Sequence, residues 1–130
     1  DLSEIHFLQK ITLLQPDLIV LAGFLLQMPE SIVNAYPNKI INIHPALLPK
    51  YGGKGMYGQN VHKAVIAAKE TQSGITIHFV DEVYDDGEII FQATCPVTLT
   101  DTAQTLATKI QLLEHIHYAP TIASVLPKQR

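Results

Sequence analysis

The apolar residues of this chain follow two different spacings, and the changes of spacing divide it into helices and strands. Apolar side chains recur every three to four residues in some segments, as in an amphipathic helix, and form short continuous or alternating runs in others, as in strands. Proline, glycine and capping residues close most segments. The pattern predicts helices at 5–14, 29–36, 61–68 and from 101 onward, and strands at 17–22, 39–43, 74–80 and 88–97.

The order of these elements predicts an α/β fold. Helices and strands alternate in the first half, which is typical of a parallel sheet buried on both faces. The two neighbouring strands of the second half predict an antiparallel hairpin. Between the strand at 39–43 and the helix at 61–68 we expect an ordered loop, residues 45–58, that is rich in glycine and proline. Long ordered loops in small domains are often functional.

The last helix carries three expectations. Asp101 is predicted to cap its first turn with Gln104 as the partner three residues on. Pro120 has no N–H to donate, so it is expected to interrupt the helix, which then continues or restarts over residues 121–126. The helical period turns four apolar side chains toward the core: Leu106, Ile110, Leu113 and Ile116.

Composition indicates one folded domain spanning residues 1–130. Of these 130 residues 47% are apolar, which is too many for a disordered segment. The net charge of -3 argues against a nucleic-acid binder or a polybasic membrane anchor. No apolar run is long enough for a membrane span, and we expect no secretory leader. The single cysteine, Cys95, favours a reducing compartment, so the chain is expected to be cytoplasmic.

The strongest chemical signal lies at the end of the second predicted strand. Asn42 and His44 are two residues apart, so they share one face of the strand, and Pro45 follows at once. Ligands of open α/β sheets bind beyond the carboxyl ends of the strands. An amide and an imidazole side by side suit a developing oxyanion, since both donate hydrogen bonds and the imidazole also transfers protons.

Two further positions are weaker candidates. Asp85 belongs to a cluster of carboxylates at 81–86, which is equally well explained as a solvated hairpin turn or as a functional acid. His78 lies on the strand face opposite Ile77 and is a candidate supporting residue. The histidines and acids show no spacing of known metal sites, so no metal is expected.

Three segments together carry a resemblance to a known family. Residues 42–49 read Asn-Ile-His-Pro-Ala-Leu-Leu-Pro, residues 74–80 read Gly-Ile-Thr-Ile-His-Phe-Val, and residues 84–90 read Tyr-Asp-Asp-Gly-Glu-Ile-Ile. Together with residues 21–24 and 111–115 they resemble the folate-dependent formyltransferase family, and the resemblance extends over nearly the whole chain. Ala46 and Asp86 depart from the family, which often has Ser and Gly there.

The resemblance implies a reaction and its catalytic residues. A formyl group would pass from 10-formyltetrahydrofolate, a cosubstrate, to the amine of glycinamide ribonucleotide in purine synthesis. By position, Asn42 would bind the tetrahedral oxyanion and His44 would act as an acid. Asp85 would raise the pKa of His44 and hold the water that moves the proton.

The resemblance also implies the surroundings of the reaction. Glu114 would contact the nucleotide. The fold would be the C-terminal part of a doubly wound, mainly parallel sheet with an antiparallel hairpin, without the N-terminal phosphate-binding βα units. The partners would be small molecules rather than nucleic acid or a membrane, with the oligomeric state open and association through an exposed sheet edge one alternative. The folate pocket would be formed by Phe24, Leu25, Leu26, Met28, Val80, Asp81 and Glu82.

Alternatives remain within and outside the family. A formyltetrahydrofolate deformylase would use water in place of the amine, although members of that group usually have a second histidine where this chain has Pro45. A methionyl-tRNA formyltransferase would need a basic surface that this chain lacks. From a different class, the chain could be a folate- or nucleotide-binding module without catalysis, or a degenerate fragment with an interaction role, although the complete set of Asn42, His44 and Asp85 argues against decay.

Overall fold

The computed structural model describes residues 18–21, 30–81 and 87–126. The predicted helix at 5–14 lies outside these residues. The described elements follow the chain in the order β1 (Ile19–Leu21), α1 (Glu30–Ala35), β2 (Ile40–His44), α2 (Gln59–Ala67), β3 (Gln72–Phe79), β4 (Ile89–Pro96) and α3 (Ala103–Val125). Apart from shifts of one or two residues at most ends, these are the helices and strands that the apolar pattern predicts.

The four described strands form one sheet in the order β1-β2-β3-β4. β1 pairs with β2 in parallel, whereas β2 with β3 and β3 with β4 are antiparallel. The α/β class and the antiparallel hairpin are therefore confirmed. Only one of the three described pairings is parallel, because the chain returns through the loop and α2 to lay β3 against β2 in the opposite direction.

Helices pack on both faces of the sheet. On one face Val65 of α2 and Leu106 and Ile110 of α3 contact Ile43, Ile75 and Ile77 in a buried cluster. On the other face Ile32 and Val33 of α1 contact Ile40. Strand side chains alternate between the faces, so β2 supplies Ile40 to one cluster and Ile43 to the other. Burial on both faces explains why three of its five residues are isoleucine.

β3 and β4 approach each other at Gly74 more closely than any other residue would allow. A Cβ atom at that position would lie 1.9 Å from the carbonyl oxygen of Ala93 and 2.7 Å from Cδ2 of Leu47. The glycine is required here by space rather than by backbone conformation.

The start of α3 corrects one expectation. The N-cap is Thr102, whose hydroxyl accepts a hydrogen bond from the Thr105 amide, and the Thr105 hydroxyl accepts one from the Thr102 amide in return. Asp101 lies one residue earlier and binds Lys109 at 2.6 Å and the Thr98 amide at 2.9 Å. These bonds hold the pKa of the Asp101 carboxyl well below its usual range. Because threonine hydroxyls fill both capping roles, Gln104 is not needed in either.

Two other expectations for α3 were wrong. The helix continues through Pro120 to Val125, and the Thr121 hydroxyl donates to the carbonyl of His117 at 2.8 Å in the same turn. Ile116 is 52% exposed, so it does not face the core, whereas Leu106 and Ile110 are buried and Leu113 packs against them as predicted. Among the described residues, no helix is long and apolar enough to cross a membrane.

Candidate active site

Polar side chains of β2, β3 and β4 meet on one face of the sheet. Asn42 lies directly across from His78, and His44 lies across from Thr76, which in turn lies across from Gln92. We define these five residues as the polar face. His44, Thr76 and His78 are all at most 3% exposed. The structure thus brings together three of the predicted site residues, Asn42, His44 and His78, on neighbouring strands.

The loop after His44 is fixed on this face through Thr76. The Thr76 hydroxyl donates to the carbonyl of Ala46 at 2.7 Å and accepts from the amide of Leu48 at 3.0 Å. The side-chain amide of Gln92 donates both to the Thr76 hydroxyl, at 2.9 Å, and to the carbonyl of Leu48, at 3.0 Å. A buried hydroxyl with all its partners holds its neighbours firmly, so the chain leaves His44 in one direction.

The imidazole of His44 has a defined proton arrangement. Its Nε2 lies 2.6 Å from the carbonyl oxygen of Tyr51. A carbonyl oxygen only accepts hydrogen bonds, so Nε2 carries a proton in the neutral ring as well as in the cation. The proton that the ring gains and loses is therefore the one on Nδ1.

The side-chain amide of Asn42 and the neighbouring hydroxyl of Thr76 differ in how far their hydrogen-bonding capacity is used. The Asn42 Oδ1 atom is buried and has no hydrogen-bond partner among the described residues. Leaving a buried polar atom unsatisfied costs about 1–3 kcal/mol, and such atoms in native proteins are often explained by function. His78, across the strand pair, directs its Nδ1 to the carbonyl of Phe79 at 2.9 Å.

A second histidine near His44 was missed by the sequence analysis. His62, on α2, is 5% exposed, and its Nδ1 has no hydrogen-bond partner among the described residues. Burial lowers the pKa of His62, and the charge of His44 lowers it further. Both effects favour a neutral His62. In the sequence His62 stands next to apolar Val61, and only the helical period hinted that it was buried.

Glu114 occupies a different position, on α3. Its carboxyl is half-buried, and burial raises its pKa while the charge of His115 opposes the rise. The hydroxyl of Tyr118, one turn later, donates to the carbonyl of Leu21 at the end of β1. Burial raises the pKa of Tyr118, and the charge of Glu114 raises it further, so the two side chains are near each other. Because Leu21 pairs with Asn42, this places Glu114 toward the same end of the sheet.

The remaining predicted site residues divide into two groups. Val80 and Asp81 follow β3 directly and are half-buried, and the Val80 amide donates to the carbonyl of Ile40 at 2.8 Å. The others lie outside the described residues, namely Phe24, Leu25, Leu26, Met28, Glu82 and Asp85. In the described part of the chain, no group of three or more His, Cys, Asp or Glu side chains is arranged to hold a metal ion.

Known proteins are similar to this chain over nearly its whole length. The chain is 44% identical over 124 residues to the chloroplastic phosphoribosylglycinamide formyltransferase of Vigna unguiculata, covering 95% of this chain and 40% of that protein. It is 38% identical to the phosphoribosylglycinamide formyltransferase of Bacillus subtilis, covering 95% of this chain and 60% of that one. The chain therefore spans between two fifths and three fifths of these relatives' lengths.

A solved structure and a family model extend the comparison to the fold. The phosphoribosylglycinamide formyltransferase of Bacillus halodurans superposes with a TM-score of 0.86 at 38% identity, covering 96% of this chain and 62% of that one. The model of the formyl transferase family matches residues 2–122. This chain therefore belongs to the formyl transferase family.

Proposed function

We propose that the protein transfers a formyl group from 10-formyltetrahydrofolate to the amine of glycinamide ribonucleotide. The observation that carries the proposal is the placement of Asn42 and the buried His44 together on the polar face at the carboxyl end of β2. The names of the relatives reported above, phosphoribosylglycinamide formyltransferases from a plant and a bacterium, support the same reaction.

The polar face suggests how the reaction would proceed. The amine nitrogen attacks the formyl carbon, and the formyl oxygen becomes a tetrahedral oxyanion. Asn42 stabilises that oxygen through its amide, and the cationic His44 stabilises it by charge and hydrogen bonding. A proton of the attacking amine then moves to N10 of the folate, and the bond between the formyl carbon and N10 breaks. The products are the N-formylated glycinamide ribonucleotide and tetrahydrofolate.

The other predicted residues complete the proposal. Asp85 keeps His44 cationic and holds the water that relays the proton, with His78 as a supporting residue. The folate ring binds between residues 24–28 and residues 80–82, and Glu114 contacts the nucleotide. Residues 1–130 act as one domain that carries the catalytic residues and the folate pocket. We place the reaction in the cytoplasm, which the free thiol of Cys95 supports, although the plant relatives are named as chloroplastic.

The test is a formyl-transfer assay on the full-length protein with both substrates, followed by the absorbance of the folate product. We expect folate turnover only when glycinamide ribonucleotide is present. Equal turnover without the amine would overturn the proposal in favour of a deformylase, and no turnover under either condition would overturn it in favour of a binding module.

A variant assigns the role of Asp85. Asp85→Asn should lower kcat by about 10²–10⁴, the range for a lost proton-transfer group, while leaving the Kd for folate nearly unchanged. Unchanged turnover would remove Asp85 from the mechanism.

A further inference from the structure

The carbonyl that accepts the hydrogen bond from His44 belongs to a residue in an unusual backbone conformation. Tyr51 has a φ of 59°, in the left-handed region that bulky side chains rarely adopt. Such conformations persist only where the surroundings hold them, and they cluster at functional sites. The carbonyl oxygen of Tyr51 accepts from His44 Nε2 at 2.6 Å, so the unusual conformation lies directly behind the candidate catalytic imidazole.

The side chain of the same tyrosine is held from the other end. Its hydroxyl donates to Oε2 of Glu70 at 2.8 Å, and its ring packs against the buried cluster under α2 and α3. Glu70 follows the end of α2, where its own amide donates to the carbonyl of Val65 at 3.4 Å. Lys50 also contacts Glu70 at 3.4 Å, but its side chain is 72% exposed.

The hydrogen bond between Tyr51 and Glu70 shifts the pKa values of both partners. The bond from Tyr51 lowers the pKa of the Glu70 carboxyl, with the charge of Lys50 contributing less. Burial raises the pKa of the Tyr51 hydroxyl, and the bond and charge of Glu70 raise it further. At neutral pH the pair is therefore a protonated hydroxyl donating to a carboxylate, which is stronger than a bond between neutral groups.

We propose that Tyr51 and Glu70 form a brace that positions His44 for catalysis by fixing the carbonyl that its Nε2 binds. This role rests on the proposed formyl transfer. The brace connects the end of α2, through the tyrosine ring and backbone, to the imidazole. It holds the proton on Nε2 and leaves Nδ1 as the nitrogen that titrates. Tyr51 and Glu70 are positioning residues, since neither acts on substrate directly.

The sequence around Tyr51 explains why a brace is needed. Gly52, Gly53 and Gly55 follow it, and glycine permits many backbone conformations. The bonds of Thr76 fix the loop at Ala46 and Leu48, but the described hydrogen bonds that hold Tyr51 itself are those to His44 and Glu70. Without the hydroxyl bond, the carbonyl can turn away and the imidazole can adopt its other tautomer.

The experiment compares four single variants of the full-length protein and the double variant that combines Tyr51→Phe with Glu70→Ala. Tyr51→Phe removes the donor and Glu70→Ala removes the acceptor, whereas Glu70→Gln keeps an acceptor oxygen. Lys50→Met is the matched control, because it removes the exposed ion pair and leaves the brace. Two kinds of data are collected. They are kcat and KM for formyl transfer, and the ¹⁵N chemical shifts of the His44 ring at a pH high enough for the ring to be neutral, where the shifts report the tautomer whether or not the protein turns over.

We expect Tyr51→Phe and Glu70→Ala each to lower kcat by roughly three- to thirtyfold with little change in KM. This is less than the roughly 10²-fold that a displacement of 1 Å can cost, because the bonds of Thr76 still hold the loop. The double variant should be no worse than either single one, since both break the same bond. Glu70→Gln and Lys50→Met should stay within about twofold of the parent. In the two damaging variants the ¹⁵N shifts of the ring nitrogens should move toward each other.

Several results would overturn the brace. One is an unchanged kcat together with unchanged ring shifts in Tyr51→Phe and Glu70→Ala. Another is a Glu70→Gln variant as impaired as Glu70→Ala, which would show that charge rather than the hydrogen bond matters. If Tyr51→Phe does not fold, Glu70→Ala tests the same bond from a partly exposed position. A parent protein that transfers no formyl group would overturn the proposed function, and the ring shifts would still decide the brace.

Discussion

The two faces of β2 and β3 differ in what they do, although the same two strands supply both. On the apolar face, Ile43, Ile75 and Ile77 are at most 6% exposed beneath α2 and α3. On the polar face, the residues between them in sequence are histidines, a threonine and an asparagine. Because successive side chains of a strand point in opposite directions, five residues of β2 serve both the core and the candidate site.

The two faces have opposite effects on the stability of the folded protein. Burying an isoleucine side chain contributes about 1.5–3 kcal/mol to folding, so the apolar face stabilises the sheet. The polar face satisfies Thr76 fully but leaves Oδ1 of Asn42 buried without a partner among the described residues. That omission costs stability. The comparison indicates that the apolar face stabilises the sheet, whereas the arrangement of the polar face is determined by the proposed reaction.

The largest expected effect comes from the polar face. His44→Ala should lower kcat for formyl transfer by about 10²–10⁴, because it removes a group that transfers protons and stabilises charge. Circular dichroism should show a folded protein, since the helices on both faces keep their contacts. A folded variant within tenfold of the parent rate would show that the polar face does not carry the reaction.

The corresponding change on the apolar face should act on stability. Ile77→Ala leaves a cavity in the cluster under α3 and should lower the free energy of unfolding by about 2–5 kcal/mol in urea titrations. The rate per folded molecule should change little. Leu99→Ala is the control, since this leucine is fully exposed, and its loss should stay within about 0.5 kcal/mol. A loss in Ile77→Ala no larger than in the control would contradict the division between the faces.

The substitution Thr76→Val tests how much the hydrogen bonds of the polar face contribute to stability. Valine has nearly the same shape as threonine, but it leaves the amide of Leu48 without its acceptor and the carbonyl of Ala46 without its donor. We therefore expect the free energy of unfolding in urea titrations to fall by about 1–3 kcal/mol. Thr94→Val, exposed on the neighbouring strand, should cost far less. Equal losses in both variants would mean that the Thr76 bonds do not hold the loop.

The smallest expected effect concerns acid stability through His62. Its pKa is lowered from 6.5 in the folded protein, so below pH 6.5 the unfolded chain binds a proton that the folded protein does not. Stability should therefore fall as the pH drops from 6.5 toward the folded pKa. His62→Gln should reduce the slope of the free energy of unfolding against pH in this window, and Lys63→Gln should leave it unchanged. An identical slope in all three proteins would show that His62 is not kept neutral by the fold.

The sequence was sufficient for features that depend on local pattern. The alternation at 74–80 placed Ile77 and His78 on opposite faces, and the spacing of Asn42 and His44 put both on one face. The glycine- and proline-rich loop was also predicted. In each case the deciding interactions act between residues a few positions apart, so the pattern contains them.

Features that depend on long-range contacts were not predictable in this way. The pairing of Asn42 with His78 requires β3 to lie antiparallel to β2, and the burial of His62 requires α2 to be placed against the sheet. Thr102 rather than Asp101 is the N-cap, and Asp101 instead binds Lys109, two turns into α3. The hydrogen bond between Tyr51 and Glu70 spans 19 residues and has no local signature.

The bond from the Tyr118 hydroxyl to the carbonyl of Leu21 joins positions 97 residues apart. During synthesis on the ribosome, the short strand β1 emerges long before α3, the helix whose Tyr118 binds it. Until then, among the described contacts, β1 is held by its three register pairs with β2 and by the packing of Ile19 and Leu21 against the cluster of Ile32, Val33 and Ile40. Shortened or split versions of the chain that end before residue 118 should therefore hold this strand less firmly than the whole chain does.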